Sequence, residues 1–320
     1  MESFEGRVAV VTGGGMGMGR ELVAQLAAQG CHVATCDVDP DALDETAKLA
    51  LEGARDGTRV TTCVADVSDE SAIDAFRAQV EADHGPHLNL LFNNAGISGG
   101  GSFLTDGRDE WERTFAVTWG GVYTCCRVFM PMLVAAPEGH VINTSSVNGF
   151  WAAMGRIPHS AYSAAKFAVK GFTEALMGDF RANAPHVKAS VVMPGHIGTS
   201  IVMNSNKAHG TLPSEMTDDE LEKVRSRLVS QGFPVADIPA DSLREGMQLM
   251  SEAFRDTAPT TAAAAATIIL DGVLAGEWRI LVGDDAHVLD TMVRQSPADA
   301  YTDSFLSELQ KSGVFSFLGP

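Results

Sequence analysis

Cations are scarce in this sequence: 23 Lys and Arg stand against 41 Asp and Glu, a formal net charge of −18. Repulsion on that scale argues against nucleic acid or an anionic membrane surface as a partner. The charge reads instead as a solubility device. Cysteine is sparse as well, with five residues in 320. Cys31, Cys36, Cys63, Cys125 and Cys126 follow no metal-ligand spacing. An odd set of thiols, mostly in apolar segments, suits a reducing compartment and buried small hydrophobes. Neither a ligand cluster nor a P-loop lysine is present to support metal or phosphoryl-transfer chemistry, so no metal is expected. Apolar runs such as residues 8–11 and 262–270 stop well short of a membrane span, and residues 1–6 are polar rather than a targeting segment. The expectation is a soluble cytoplasmic protein. Beyond the alanines at 262–266 there is no low-complexity stretch, and no internal repeat.

Glycine is abundant at 32 residues, and 45% of the chain is hydrophobic, enough for a large core with many tight turns. Short apolar strand patterns at 7–12, 32–37, 59–64, 88–93, 139–145, 187–193 and 279–283 alternate with helical patterns, among them 40–53, 109–133, 160–182 and 260–275. Such alternation signals parallel βαβ units. The expected fold is α/β, a doubly wound parallel sheet of about seven strands with helices on both faces. Residues 1–283 then form one domain. Within it, 196–258 is more polar and carries Pro213, Pro234 and Pro239, with short helices near 217–230 and 240–254. An insertion there lies beside the carboxyl ends of the strands, where ligands bind in such folds, and is a candidate substrate-binding lid. Residues 284–320 form a helical tail, with Pro297 suited to the first turn of its last helix.

Three motifs carry the chemistry. Thr12-Gly-Gly-Gly-Met-Gly-Met-Gly19 follows the first strand and opens a helix, and such glycines let the backbone approach a pyrophosphate at the helix N-terminus. This is the Rossmann-type arrangement. Asp37 ends the second strand, where a carboxylate accepts from an adenosine ribose diol and repels a 2′-phosphate. Val38 and Asp39 follow it and Met16 is not basic, which points to NAD over NADP. Tyr162-Ser-Ala-Ala-Lys166 places a phenol and an ammonium one helical turn apart. A cation held there favours the phenolate, so the phenol approaches the pKa that an alcohol–ketone acid/base needs.

In this order the motifs resemble the short-chain dehydrogenase/reductase family, through residues 7–199 and more loosely to 283. The family's glycine turn is Thr12–Gly19, with contacts expected from Gly13, Gly15, Met16, Gly17, Met18 and Gly19. Asp37 and Val38 would hold the ribose, and Asp66-Val67 matches the pair that meets adenine. Asn93-Asn-Ala-Gly96 matches the stretch that supports the sheet and lines the cofactor, through Asn93, Ala95 and Gly96. Ser146 matches the catalytic serine, because the family's Ser-x-x-Gly ending falls on Ser146 and Gly149. Tyr162 and Lys166 match the catalytic pair, which also touches the cofactor. In Pro194-Gly195-His-Ile197-Gly-Thr199, Ile197 and Thr199 would meet the nicotinamide carboxamide.

Two features depart from the family. Thr118 stands where an asparagine usually supports a water relay to the lysine, and no asparagine lies between Asn94 and Asn143. Thr118 is therefore a candidate relay group, with different hydrogen-bonding reach. The stretch from Ser146 to Tyr162 is also longer than usual, and its apolar Phe150, Trp151 and Met154 sit beside the expected reacting centre.

The resemblance implies NAD-dependent interconversion of a secondary alcohol and a ketone, with Ser146, Tyr162 and Lys166 catalytic. Apolar lid residues Ile201, Val202, Met203, Leu212, Met216 and Phe233 suggest a medium-sized apolar substrate. Two other readings stand beside it: an NADPH-dependent 3-oxoacyl carrier-protein reductase, and a catalytically silent NAD-binding sensor or scaffold. In the family the helices at 109–133 and 160–182 pair between subunits, so a homodimer or homotetramer is expected. Val122, Tyr123, Phe129, Phe167, Phe172 and Leu176 are their candidate contact residues.

Overall fold

The computed structural model describes residues 1–152, 158–230 and 232–314. The first half alternates strictly: β1 (Val8–Thr12), α1 (Gly17–Ala28), β2 (His32–Asp37), α2 (Pro40–Gly53), β3 (Val60–Val64), α3 (Glu70–His84) and β4 (Leu90–Asn93). Then come α4 (Arg108–Phe115), a π turn over Ala116–Gly120, α5 (Gly121–Ala135), β5 (Gly139–Thr144), α6 (Ser160–Asn183) and β6 (Val187–Pro194). The rest comprises β7 (Ile197–Gly198), α7 (Ile201–Ala208), α8 (Asp218–Ser230), α9 (Ala240–Asp256), β8 (Thr260–Thr261), α10 (Ala262–Ala275), β9 (Arg279–Val282), α11 (Asp284–Gln295) and α12 (Asp303–Lys311).

Seven strands form one parallel sheet in the order β3-β2-β1-β4-β5-β6-β9, the expected doubly wound fold. Strand residues alternate between its faces. Val8 and Val10 of β1, Leu91 of β4 and Val141 of β5 join one cluster, with Phe76 of α3, Phe129 of α5 and Val169 of α6. Ala9, Val11, Leu90, Phe92 and Ile142 join the other, with Leu22 and Leu26 of α1 and Ile269 and Leu270 of α10. β1 pairs with β2 on one side and β4 on the other, so the strand order reverses at β1 and opens a crevice at the carboxyl ends.

Local chemistry sets the helix starts. Asp39 accepts from Ala42 N at 3.1 Å with Pro40 at the first helical position, fixing the start of α2. Asp69 accepts from Ser71 N at 2.9 Å to start α3. The single long helix expected at 109–133 is instead interrupted by the π turn, which places Thr118 on a local bulge of the kind found at functional sites. The stretch Arg108–Ala135 is long and apolar enough to cross a membrane. Phe129 and Leu133 are nevertheless fully buried in the protein's own core, as is Cys125.

Two expectations about the termini of elements change. Pro297 lies in the link between α11 and α12, not in the first turn of α12, where Thr302 caps instead by accepting from Phe305 N. The segment expected as a lid runs from β7 to β8, which pair in parallel. Its helices bury a small cluster of their own around Met216, Leu221 and Leu243.

Candidate active site

The carboxyl ends of β1 to β4 surround a cleft of about 480 Å³. Its floor is the glycine turn. Gly13 and Gly17 have positive φ, a left-handed backbone that favours glycine. A Cβ on Gly19 would lie 2.0 Å from the Gly13 carbonyl oxygen, so only glycine lets α1 begin that close to the turn. Asn94 holds the turn from the other side, donating to Thr12 O at 3.1 Å and Gly13 O at 3.3 Å. The backbone therefore lies bare at the start of α1, a cradle that fits a pyrophosphate.

Asp37 lines the cleft and accepts from Gly15 N at 3.0 Å and Val38 N at 2.8 Å. Asp66 lines it too, bonded to Ser68 and to the Arg113 guanidinium of α4 at 2.6 Å. Burial pushes the Asp66 carboxyl up, but these partners more than offset that and hold it below its usual range. Met16, Gly17, Met18, Val38, Val67, Ala95, Gly96 and Thr199 also line the cleft.

Other expected contacts lie elsewhere. The Asn93 side chain is buried under the sheet, donating to Asn143 Oδ1 at 2.8 Å; its neighbour Asn94 faces the cleft instead. Ile197 packs its side chain into the core cluster beneath α10. Pro194 ends β6, and Gly195 packs against Asp285, whose carboxylate would lie 2.3 Å from a Cβ there. That carboxylate accepts from His196 N at 2.6 Å, so the tail helix α11 fixes the Pro-Gly stretch. No local pattern in the sequence named Asp285.

At the inner end, Ser146, Tyr162 and Lys166 come together. Lys166 is buried, donates to Thr144 O at 2.8 Å and lies 5.4 Å from the centre of the Tyr162 ring. A Cβ on Gly96, which lines the cleft, would stand 3.5 Å from Lys166 Nζ, so the lysine lies directly behind that wall. The two adjacent serines differ in use: Ser145 donates to Lys166 O at 2.7 Å, whereas the Ser146 hydroxyl accepts from Asn148 N at 3.1 Å and acts on the phenol. Desolvation pushes the Tyr162 phenol up to about 12, with Ser146 pulling it partly back. Desolvation also lowers Lys166 to about 7. The expected lowering of the phenol by the lysine is outweighed by burial, which strips both groups of water.

This burial has a measurable sign. Below about pH 7 the folded protein holds a desolvated ammonium, at full cost to stability. As pH rises from there toward the ordinary lysine value of 10.5, the unfolded chain keeps a proton that the folded one has released, and stability is regained. Lys166→Met should therefore stabilise the nucleotide-free protein most near pH 6 and progressively less toward pH 10. Urea unfolding of both proteins across that range checks it; a benefit independent of pH would mean the lysine is not desolvated.

The Thr118 hydroxyl is engaged: it donates to Ile97 O at 2.8 Å and accepts from Ile97 N at 3.1 Å. Its one proton is spent on clipping the π turn to the loop after β4, which removes it as a donor in a relay. His159, not foreseen from the sequence, stands 4.8 Å from Tyr162 between ring centres, and burial lowers it to about 4. A neutral imidazole thus walls the phenol. Trp151 is fully buried rather than facing substrate, donating to Ala300 O at 2.7 Å and packing on Phe305. Phe150 stacks under the Arg279 guanidinium, and Met154 lies outside the described residues. Met216 belongs to the lid's own small core.

A family profile described as short chain dehydrogenase matches residues 7–210. The chain belongs to the short-chain dehydrogenase/reductase family. As a family member it is an oxidoreductase. It is 34% identical over 295 residues to an oxidoreductase, SadH, of Mycobacterium tuberculosis, covering 92% of each chain. A solved short-chain dehydrogenase/reductase from Burkholderia phymatum, in complex with NAD, is similar with a TM-score of 0.72 and 27% identity, over 93% of this chain and 95% of that one. A metagenomic short-chain oxidoreductase in complex with NADP is similar with a TM-score of 0.54 and 32% identity, over 60% of this chain and 83% of that one.

Proposed function

We propose that this family member is an NAD-dependent dehydrogenase interconverting an apolar, medium-sized secondary alcohol and its ketone. The observation that carries the reading is the meeting of Ser146, Tyr162 and Lys166 behind the cleft wall at Gly96. The nicotinamide ring, when bound, supplies the hydride acceptor or donor. Similar proteins solved with NAD and with NADP support a nicotinamide cofactor, and the bare glycine cradle fits its pyrophosphate.

The residues divide the remaining work. The Ser146 hydroxyl donates to the substrate oxygen and fixes its distance from the phenol. Tyr162 takes the proton of the alcohol oxygen in oxidation and returns it in reduction. Lys166, charged, stabilises the phenolate electrostatically and holds the nicotinamide ribose by its ammonium protons. Asp37 accepts from the adenosine ribose diol, and a 2′-phosphate there would meet its charge at close range. Tyr123 and Phe167 keep 47% and 41% of their surface exposed on α5 and α6, supporting pairing of these helices between two copies. Light scattering at a mass near the 33.8 kDa of one chain would overturn that pairing.

The test is NADH formation across steroid, terpene, aromatic and aliphatic alcohols, with both cofactors supplied. Turnover of an apolar alcohol with NAD is expected, and better turnover of small, highly charged substrates would defeat the substrate class. Asp37→Ala should relax the preference for NAD over NADP by about tenfold or more, the effect of removing one like charge beside a phosphate. An unchanged ratio of kcat/KM values would remove Asp37 from that role.

A further inference from the structure

A cation absent from the local sequence reaches the adenosine end of the cleft. Lys207, near the end of α7 in the lid, donates its ammonium proton to Asp39 Oδ2 at 2.9 Å, across 168 positions of chain. Both residues line the cleft beside Asp37 and Val38. The other oxygen of Asp39 is already committed, accepting from Ala42 N to cap α2. One carboxylate thus starts the helix behind the ribose position and fastens the lid in front of it.

Charge on this rim is nearly balanced. Asp37, Asp39 and Asp66 face two cations, Arg113 and Lys207, among the described residues lining the cleft. Arg113 is engaged by Asp66 and Ser68. Asp39, by hydrogen bond and then by charge, holds the Lys207 ammonium above its usual range, with Asp37 and Asp41 adding to the field. Lys207 remains 65% exposed, so its side chain has room to move toward an anion.

We propose that Asp39 is a specificity-determining residue: by occupying Lys207 it denies a 2′-phosphorylated cofactor the one lid cation able to receive it. The inference rests on the NAD reading above. A 2′-phosphate brings close to two negative charges. With Asp39 ionised it meets a rim with one carboxylate in excess and an ammonium already bonded. With Asp39 neutral the excess disappears and the Lys207 protons are free. Asp37 rejects the phosphate by facing it, whereas Asp39 rejects it by removing its counter-ion.

Asp39→Asn is the decisive variant, because asparagine caps a helix as well as aspartate and α2 should keep its start. Titration calorimetry of the full chain should give about tenfold tighter NADP binding than wild type, with NAD binding unchanged within about twofold. The gain should shrink as salt is raised from about 0.05 to 0.5 M. In the double variant D39N/K207M the NADP affinity should return to that of wild type. Unchanged NADP affinity in D39N, or a gain that survives in the double variant, overturns the role of Asp39. Wild-type protein that binds both nucleotides equally would instead overturn the NAD reading, a separate comparison that does not use Asp39.

Discussion

Tyr162→Phe is expected to lower kcat by about 10²–10⁴-fold while nucleotide affinity stays within about twofold. The substitution removes one oxygen and leaves the ring, so the packing against His159 and the place of the ring near Lys166 persist. What is lost is the group that exchanges a proton with the substrate oxygen. The size of the loss follows from general acid–base catalysis, where a positioned proton carrier contributes two to four powers of ten. Serine cannot take over, since an aliphatic hydroxyl is a weaker acid than a phenol. Stopped-flow measurement of the hydride step, alongside calorimetric nucleotide binding, separates the two effects. Full activity would sink the assignment of Tyr162, and loss of nucleotide binding would make the phenol a structural rather than a catalytic group.

Trp151→Ala should lower the unfolding free energy by about 3–5 kcal/mol, the usual cost of emptying a large aromatic site. Trp151 is 1% exposed and sits in a cluster with Val147, Leu289, Phe305 and Leu309. Its indole N–H is satisfied by Ala300 O, and the next residue donates its N–H to the Tyr301 hydroxyl. Phe150 is fixed in parallel, under an Arg279 guanidinium that is itself paired with Asp290 of α11. The segment following Ser146 is thus bonded to the tail at Trp151 and Ala152, and linked to it through Arg279 at Phe150. Denaturant unfolding measures the loss. Trp151→Phe, which keeps the ring contact and gives up one hydrogen bond, should lose only about 1–3 kcal/mol. Equal losses in the two variants would show that packing contributes nothing beyond the bond.

The sheet was legible from sequence because strand and helix periods alternate cleanly and each βα turn is marked by glycine or a capping aspartate. That the glycine turn and Asp37 line one cleft, and that Lys166 stands beside the Tyr162 ring, was foreseeable for a related reason: these placements depend on spacing within single elements, or on order along the chain. What escaped depends on long-range contact. Arg113 reaches Asp66 from 47 residues away, Asp285 reaches His196 from 89, and Lys207 reaches Asp39 from 168. No local pattern encodes such pairs. Trp151 misled for a different reason, since an aromatic beside a candidate site residue reads the same whether it faces substrate or core. Burial against a tail some 150 residues on decided it. Thr118 misled through its hydroxyl, whose only proton the Ile97 carbonyl takes.

The parallel pairing of Ile197–Gly198 with Thr260–Thr261 has a consequence for how this enzyme diverges. A segment that departs and re-enters at adjacent points imposes no length on the scaffold behind it, and the entropy of closing it grows only slowly with added residues. The excursion also carries its own small nucleus around Leu221 and Leu243. Changes in length or sequence within that excursion leave Ser146, Tyr162 and Lys166 in place, because all three lie outside it. Its contacts with the scaffold include Lys207 with Asp39, Ser205 and His209 with Ser98, and Arg227 with Asp106, and any replacement must either reproduce or release them.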